Sequence, residues 1–192
     1  MRHSLRPLYI QKTNIENTLE ELERGLGQGY WIQLVPPSGS QKLIPESLLP
    51  EGPGIVVSSG GSSGRRKYCL QPSLHLDRSA RATGDWLNKQ GIAPHSCFVL
   101  NPLPIHHLSG LMPWWRSRLW GAKHLYLCPE LLKDPAFLEK NIALDNVASK
   151  KNLVISLVPT QLQRLLKNRF GLYFLQKFEV IWVGGAPLSP QL

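Results

Sequence analysis

The chain has 192 residues, of which 42% are hydrophobic and 18% are charged, and its formal net charge is +9. This length allows one domain with a proper core, and the composition is that of an ordinary globular protein. No apolar run approaches the roughly 18 residues of a membrane-spanning helix, and the N-terminus lacks the apolar segment of a signal peptide. We therefore expect a cytoplasmic protein with no membrane partner.

The excess of positive charge is compatible with binding to nucleic acid, to a membrane surface or to anionic small molecules. Apart from residues 65–67 and the pair Lys150 and Lys151, the cations are scattered along the chain. They do not alternate with aromatic residues, as they often do in nucleic-acid-binding segments. We therefore expect anionic small ligands, and no nucleic acid, as partners.

The cysteines indicate neither a disulfide framework nor a metal site. Cys69, Cys97 and Cys128 are widely spaced and form no CxxC pair. Each lies in or beside an apolar stretch, so we expect buried free thiols, which agrees with a reducing compartment. No metal ligands are predicted within this chain.

Residues 1–54 are predicted to form a small N-terminal piece with one helix and one strand. Thr13 and Glu16 have the spacing of a capping box, and Gly27 is predicted to end the helix. The apolar residues of this helix recur at helical spacing: Ile15, Leu19, Leu22 and Leu26. Tyr30–Val35 is predicted to be a strand, and the residues from Pro36 to Gly54, rich in proline, glycine and serine, form a connection.

From residue 55 to residue 192, strands and helices alternate, which predicts an α/β fold with a mostly parallel sheet flanked by helices. The predicted strands are Ile55–Val57, Cys97–Leu100, Ala122–Cys128, Leu153–Val158 and Phe178–Val183. Helices are predicted around Leu76, Ala80, Thr83 and Leu87, at Leu108–Trp120, after Asp134, and from Pro159, with Leu162, Leu165 and Leu166 facing inward. Ligands of such sheets bind at the carboxyl ends of the strands.

The most informative segment follows the first of these strands. Residues 58–67 read Ser-Ser-Gly-Gly-Ser-Ser-Gly-Arg-Arg-Lys. Glycines allow successive backbone N–H groups to converge on one anion, and the hydroxyls and Lys67 add donors and positive charge, which suits a polyphosphate. The spacing does not fit a Walker-type P-loop, because Lys67 is followed by Tyr68. The alternative is a flexible linker with a basic end, although a linker seldom directly follows a buried strand.

This segment resembles the phosphate loop of the adenylate-forming superfamily, which includes acyl-CoA synthetases, peptide-synthetase adenylation domains and luciferases. The matching residues are Ser59, Gly60, Gly61, Ser62, Ser63, Gly64 and Lys67, while Arg66 stands where the family has proline. The resemblance implies that these residues bind the β- and γ-phosphates of ATP and that Lys67 is catalytic. It also implies that residues 55–192 are an AMP-binding subdomain of a large N-terminal domain.

Two further segments match the superfamily in the expected order. Leu103–Leu111 resembles the block Leu-Pro-Leu-Phe-His-x-x-Gly-Leu, so that His107 takes the place of the family histidine, which is catalytic and lies beside the carboxylate. The resemblance implies that the acyl group is bordered by His107, Ser109, Gly110, Leu111 and Thr160, and that adenine packs on Gly184, Gly185, Ala186 and Pro187. Without the resemblance, His107 could be structural, Thr160 an ordinary helix cap, and the glycines a tight strand exit.

The sequences of Ser156–Leu162 and Leu108–Leu111 are most similar to the corresponding segments of o-succinylbenzoate–CoA ligases of menaquinone and phylloquinone synthesis. This resemblance implies ATP, Mg²⁺, CoA and a small carboxylic acid as ligands, and it allows a homodimer. The family's magnesium and ribose ligands and its catalytic lysine come after the position of Leu192, so we expect an N-terminal fragment that is inactive alone. The alternatives are another acyl- or aryl-adenylating enzyme and a non-catalytic basic binding module.

Overall fold

The structure is a computed structural model that describes residues 4–11, 14–37, 41–59, 67–142, 144 and 152–187. It divides into two compact units. The first comprises Met1–Ser79 with Ile105–Leu108, and the second comprises Ala80–Pro104 with Ser109–Leu192. The division predicted from the sequence, between residues 54 and 55, stays a prediction.

The first unit contains a four-stranded sheet in the order β1-β2-β3-β4. Its strands are β1 (Leu5–Tyr9), β2 (Trp31–Val35), β3 (Gly54–Ser59) and β4 (Lys67–Pro72), and helix α1 (Ile15–Gly27) connects β1 to β2. The first three strands pair in parallel, whereas β3 and β4 are antiparallel. Trp31 of β2 and Val56 of β3 form a buried core cluster with Ile44.

Helix α1 begins one residue later than the predicted capping box requires. Its N-cap is Asn14, whose side chain accepts a hydrogen bond from the backbone N–H of Asn17 at 3.1 Å. Thr13 lies outside the described residues, and the prediction that it caps the helix is wrong because asparagine provides the same oxygen one position closer. The apolar face and the end of the helix at Gly27 are confirmed.

The second unit contains a parallel sheet in the order β6-β5-β7-β8. Its strands are β5 (Cys97–Asn101), β6 (Lys123–Tyr126), β7 (Asn152–Leu157) and β8 (Val180–Val183). Among the described residues, the helices that connect these strands are α3 (Leu108–Trp120), α4 (Pro135–Asn141), α5 (Pro159–Leu166) and α6 (Arg169–Leu175). Helix α2 (Ser73–Lys89) begins in the first unit and ends in the second. None of the described helices is long and apolar enough to cross a bilayer.

Each face of the second sheet has its own core because successive strand residues point to opposite faces. One cluster contains Leu87, Cys97, Val99 and Val154. The other contains residues from strands and from α4 to α6: Leu100, Leu138, Ile155, Leu157, Leu165 and Phe174. Helices therefore cover both faces of a parallel sheet, which confirms the α/β prediction.

Three local predictions are wrong. The strands form two sheets rather than one, and β4 was not predicted, because an antiparallel return has no signal in the strand–helix alternation. Leu166 is 36% exposed rather than inward, since it lies at the end of α5, whereas Leu165 is buried. Cys128 is exposed, in a turn after β6, and only Cys97 of the three thiols is fully buried.

Candidate functional site

The structure fixes both ends of the glycine- and serine-rich segment. Ser59 is the last residue of β3, Lys67 is the first residue of β4, and the two are paired across the antiparallel ladder. Gly60, Gly61, Ser62, Ser63 and Gly64 lie outside the described residues. The segment is therefore the connection of a hairpin, and the predicted strand–loop–helix order is wrong because β4 intervenes before α2.

A buried hydrogen-bond network lies next to the start of this segment. Gln41 donates from Nε2 to Oγ of Ser58 at 2.9 Å. The fully buried Gln33 donates to the carbonyl oxygen of Lys42 and accepts from the N–H of Ile44, both at 3.1 Å. These bonds hold residues 41–44 against the sheet.

Sequence reasoning treated Tyr30–Val35 only as a strand and the residues from Pro36 to Gly54 only as a connection, so it missed Gln33 and Gln41. The usable signal was a glutamine within the apolar run Trp31–Val35, because a buried amide needs partners. One buried acceptor, Oε1 of Gln41, has no hydrogen-bond partner in the part of the chain that the structure describes. The bond from Nε2 of Gln41 holds Ser58 at the point where β3 leads into the glycine- and serine-rich segment.

In the second unit, the structure brings two of the predicted segments to one edge of the sheet. Strands β5, β7 and β8 are adjacent and parallel, so their carboxyl ends share that edge. The backbone N–H of Gly184 donates to the carbonyl oxygen of Leu157 at 3.1 Å, and Gly185 has φ 89°, which favours glycine. Residues 184–187 are exposed, so backbone groups of this turn are accessible to a flat ligand.

The segment after β5 is closely packed at its two ends. Asn101, fully buried, donates from Nδ2 to the carbonyl oxygen of Gly110 at 2.7 Å and accepts at Oδ1 from the N–H of Leu103 at 3.2 Å. A Cβ at Gly110 would lie 2.2 Å from the carbonyl oxygen of Pro104, so only glycine fits there. The predicted strand ended at Leu100, whereas Asn101 is the last residue of β5.

The remaining predicted residues differ in exposure. His107, in the first unit, is half-buried, and its ring centroid lies 4.3 Å from that of His106. In the second unit Ser109 is exposed and Leu111 is fully buried, so Leu111 has no surface for a ligand in this arrangement. Thr160 is exposed and does not cap α5, whose first turn is closed by Gln161 accepting from the N–H of Val158 at 3.0 Å.

Burial shifts the pKa of several groups in the second unit. Burial lowers the pKa of His124 to about 4, so its imidazole is neutral at physiological pH. Burial is the main cause that raises the pKa of Tyr126, and the negative charges of Cys128 and Glu130 raise it further. Burial also lowers the pKa of Arg116, whose guanidinium lies 4.8 Å from the ring centroid of Trp182. These groups contribute no buried negative charge.

Magnesium ligands are not grouped in the described part of the chain. No three His, Cys, Asp or Glu side chains among those residues are close enough to hold a metal ion.

No protein-family model and no curated protein matches the sequence, but several solved structures match the fold. An acyl-CoA synthetase (AMP-forming)/AMP-acid ligase II-like protein from Dyadobacter fermentans is 22% identical, with TM-score 0.54 over 72% of this chain and 35% of that chain. O-succinylbenzoate coenzyme A synthetase from Bacillus subtilis, in complex with AMP, is 15% identical, with TM-score 0.54 over 98% of this chain and 56% of that one. A variant of E. coli MenE with bound OSB-AMS is 19% identical, with TM-score 0.58 over 98% of this chain and 44% of that one.

At these identities the likeness defines the fold. The chain has the α/β fold of the N-terminal domain of adenylate-forming enzymes, with mostly parallel sheets flanked by helices. The chain spans between 35% and 56% of the length of the three solved structures described above.

Proposed function

We propose that this chain is the ATP- and acid-binding N-terminal part of an AMP-forming acid–CoA ligase. The observation that carries the proposal is the placement of the glycine- and serine-rich segment between β3 and β4, with Ser59 paired to Lys67. A cation and a hydroxyl residue are thereby held at the two ends of a segment rich in backbone donors. That arrangement suits a polyphosphate, and it occurs in a chain with the fold of adenylate-forming enzymes.

The reaction proposed for the whole enzyme has two steps. An oxygen of the carboxylate attacks the α-phosphorus of ATP, and pyrophosphate leaves to give the acyl-adenylate. The sulfur of CoA then attacks the acyl carbon, its proton is lost, and AMP leaves to give the thioester. In the first step negative charge shifts onto the departing pyrophosphate, which fixed N–H groups and Lys67 would stabilise.

The particular acid we propose is o-succinylbenzoate. The sequence resemblance of Ser156–Leu162 and Leu108–Leu111 supports it, as do the fold matches to o-succinylbenzoate CoA synthetases. The Bacillus subtilis enzyme has been solved in complex with ATP and magnesium ion, and we propose the same nucleotide and metal, with CoA, for this enzyme. The carboxyl edge of β5, β7 and β8 would accommodate adenine at Gly184–Pro187 and the acid beside Ser109 and Gly110.

The phosphate assignment is tested by comparing ATP with AMP as ligands of the purified chain. If Lys67 holds the β- and γ-phosphates, Lys67→Ala should weaken ATP binding about 10- to 100-fold, as expected for a hydrogen bond to a charged group. Binding of AMP, which lacks those phosphates, should change little. Lys89→Ala is the matched control, because Lys89 is an exposed lysine at the end of α2.

The outcome separates the proposal from its alternatives. Equal weakening of ATP and AMP, or the same loss in Lys89→Ala, would show that net charge alone attracts the nucleotide. Tight and steeply salt-dependent binding of DNA would instead favour a basic binding module. Another acid-activating enzyme would be revealed by pyrophosphate exchange that a different carboxylic acid stimulates.

A further inference from the structure

A buried polar pair lies at the carboxyl end of the second sheet, among residues that the proposed function leaves without a role. Asn101 on β5 is 0% exposed. Its Nδ2 lies 2.7 Å from the carbonyl oxygen of Gly110 and 3.3 Å from Nε2 of His124 on the neighbouring strand β6. Its Oδ1 accepts from the N–H of Leu103 at 3.2 Å. All the polar atoms of this amide are therefore in use.

The partners fix the orientation of the amide and the position of the histidine proton. The N–H of Leu103 can only donate, so the atom of Asn101 that faces it is the oxygen. The carbonyl of Gly110 can only accept, so the nitrogen faces it. The same nitrogen faces Nε2 of His124, which must then accept, and the imidazole proton is on Nδ1.

The same bonds fix the two ends of the segment that follows β5. Leu103 lies at its start and Gly110 in the first turn of α3, and both are bonded to the one side chain of Asn101. The backbone of Gly110 also lies directly against Pro104, where a Cβ would be 2.2 Å from the carbonyl oxygen. The position of Gly110 is therefore fixed by both a hydrogen bond and steric contact.

Two partners of Asn101, the N–H of Leu103 and the carbonyl of Gly110, are backbone groups that need a hydrogen bond when buried. The side chain of Asn101 satisfies both, and such a network gives the segment one defined arrangement. Because it lies at the carboxyl end of the sheet, where parallel sheets bind ligands, the arrangement that it fixes borders a candidate ligand position.

We propose that Asn101, with His124 as its acceptor, is a positioning residue that fixes the backbone of Leu103 and Gly110 for binding of the carboxylic acid. The part that concerns the acid rests on the proposed function. The part that concerns the network stands on the geometry of the second unit alone.

The test uses Asn101→Asp, which keeps the acceptor for Leu103 and removes the donor to Gly110 and His124. Binding of o-succinylbenzoate in the presence of AMP should weaken about tenfold, as expected from the loss of the buried hydrogen bond to the carbonyl of Gly110, while AMP binding alone stays the same. Asn152→Asp is the control, because Asn152 starts β7 at the opposite edge of the sheet and donates to Ser96 at 2.8 Å. It should leave acid binding unchanged.

The imidazole nitrogen chemical shifts of His124 give a second readout that a purely structural role would not predict. In the wild-type chain at neutral pH, only Nδ1 should be protonated. In Asn101→Asp, the new carboxylate should raise the pKa of His124, and both nitrogens should become protonated. If Asn101→Asp does not fold, His124→Gln, which keeps an acceptor, should bind the acid about tenfold better than His124→Leu, since only the first retains the bond.

Each outcome bears on a distinct part of the proposal. Unchanged acid affinity in Asn101→Asp, or equal affinity in the two His124 variants, would overturn the positioning role while leaving the proposed function in place. A wild-type His124 protonated at Nε2 would overturn the network itself. A wild-type chain that binds AMP but no o-succinylbenzoate would overturn both the acid-binding role and the proposed substrate.

Discussion

Gly110→Ala should destabilise the protein although it replaces a helical glycine by the best helix former. A Cβ at this position would lie 2.2 and 2.5 Å from the carbonyl oxygen and carbon of Pro104 and 2.6 Å from the carbonyl oxygen of Leu103. All of these are backbone atoms, so no side chain can rotate away and the backbone itself must shift. The shift would also lengthen the 2.7 Å hydrogen bond from Asn101 to Gly110.

The magnitude follows from three contributions. Overpacking costs about 1–3 kcal/mol, and the upper part of that range applies because the clash is with backbone. Weakening one buried hydrogen bond costs about 1 kcal/mol. Alanine in a helix returns about 1 kcal/mol relative to glycine. The free energy of unfolding should therefore fall by about 2–3 kcal/mol, which lowers Tm by about 4–12 °C in a protein of this size.

Urea and thermal unfolding, followed by circular dichroism, measure this change, and Gly27→Ala is the matched control. Gly27 is the last residue of α1, and a Cβ there would have nothing within 4 Å. That variant should be neutral or up to about 1 kcal/mol more stable. The reasoning is refuted if Gly110→Ala is as stable as the wild type, or if Gly27→Ala loses as much stability.

Two further predictions concern buried polar groups. The pKa of His124 is lowered to about 4 in the folded chain from 6.5, so between these values the unfolded chain binds more protons and stability is lost as pH falls from 6.5 towards 4. The free energy of unfolding should fall by about 3 kcal/mol over this range. Tm measured as a function of pH tests this, and an equal decline of Tm in His124→Gln would contradict it. Gln33→Leu leaves the N–H of Ile44 without its partner and removes one of two donors to the carbonyl of Lys42, the other being the hydroxyl of Tyr68. The loss should be about 1–3 kcal/mol in urea unfolding. The exposed Gln163→Leu should stay within about 0.5 kcal/mol, and similar losses in both glutamine variants would count against the network.

The sequence predicted those elements whose signals are local. The apolar spacing of α1 and its end at Gly27 are confirmed, as is the cap of α4, where Asp134 accepts from the N–H of Phe137 at 3.1 Å. The parallel strands β5, β7 and β8 were predicted because strands alternate with helices of crossover length. These features depend on residues a few positions apart.

What the sequence did not reveal depends on partners that are distant in the chain. β4 pairs with β3 through a connection whose path no local pattern specifies, and Lys67–Pro72 shows no clean alternation of buried and exposed residues. Asn101 and His124 meet across strands 23 residues apart. Neither residue belongs to a motif, so only the three-dimensional pairing of β5 with β6 makes the network visible.

The central proposal is that the glycine- and serine-rich segment between β3 and β4 binds the phosphates of ATP. The most direct measurement is an NMR titration of the chain with ATP, following the backbone amides of Ser59 and Lys67 at the two ends of that segment. The account predicts that both amides shift as ATP is added, and that AMP, which lacks the β- and γ-phosphates, shifts them less. Shifts confined to other surfaces, or none at millimolar ATP, would contradict the account.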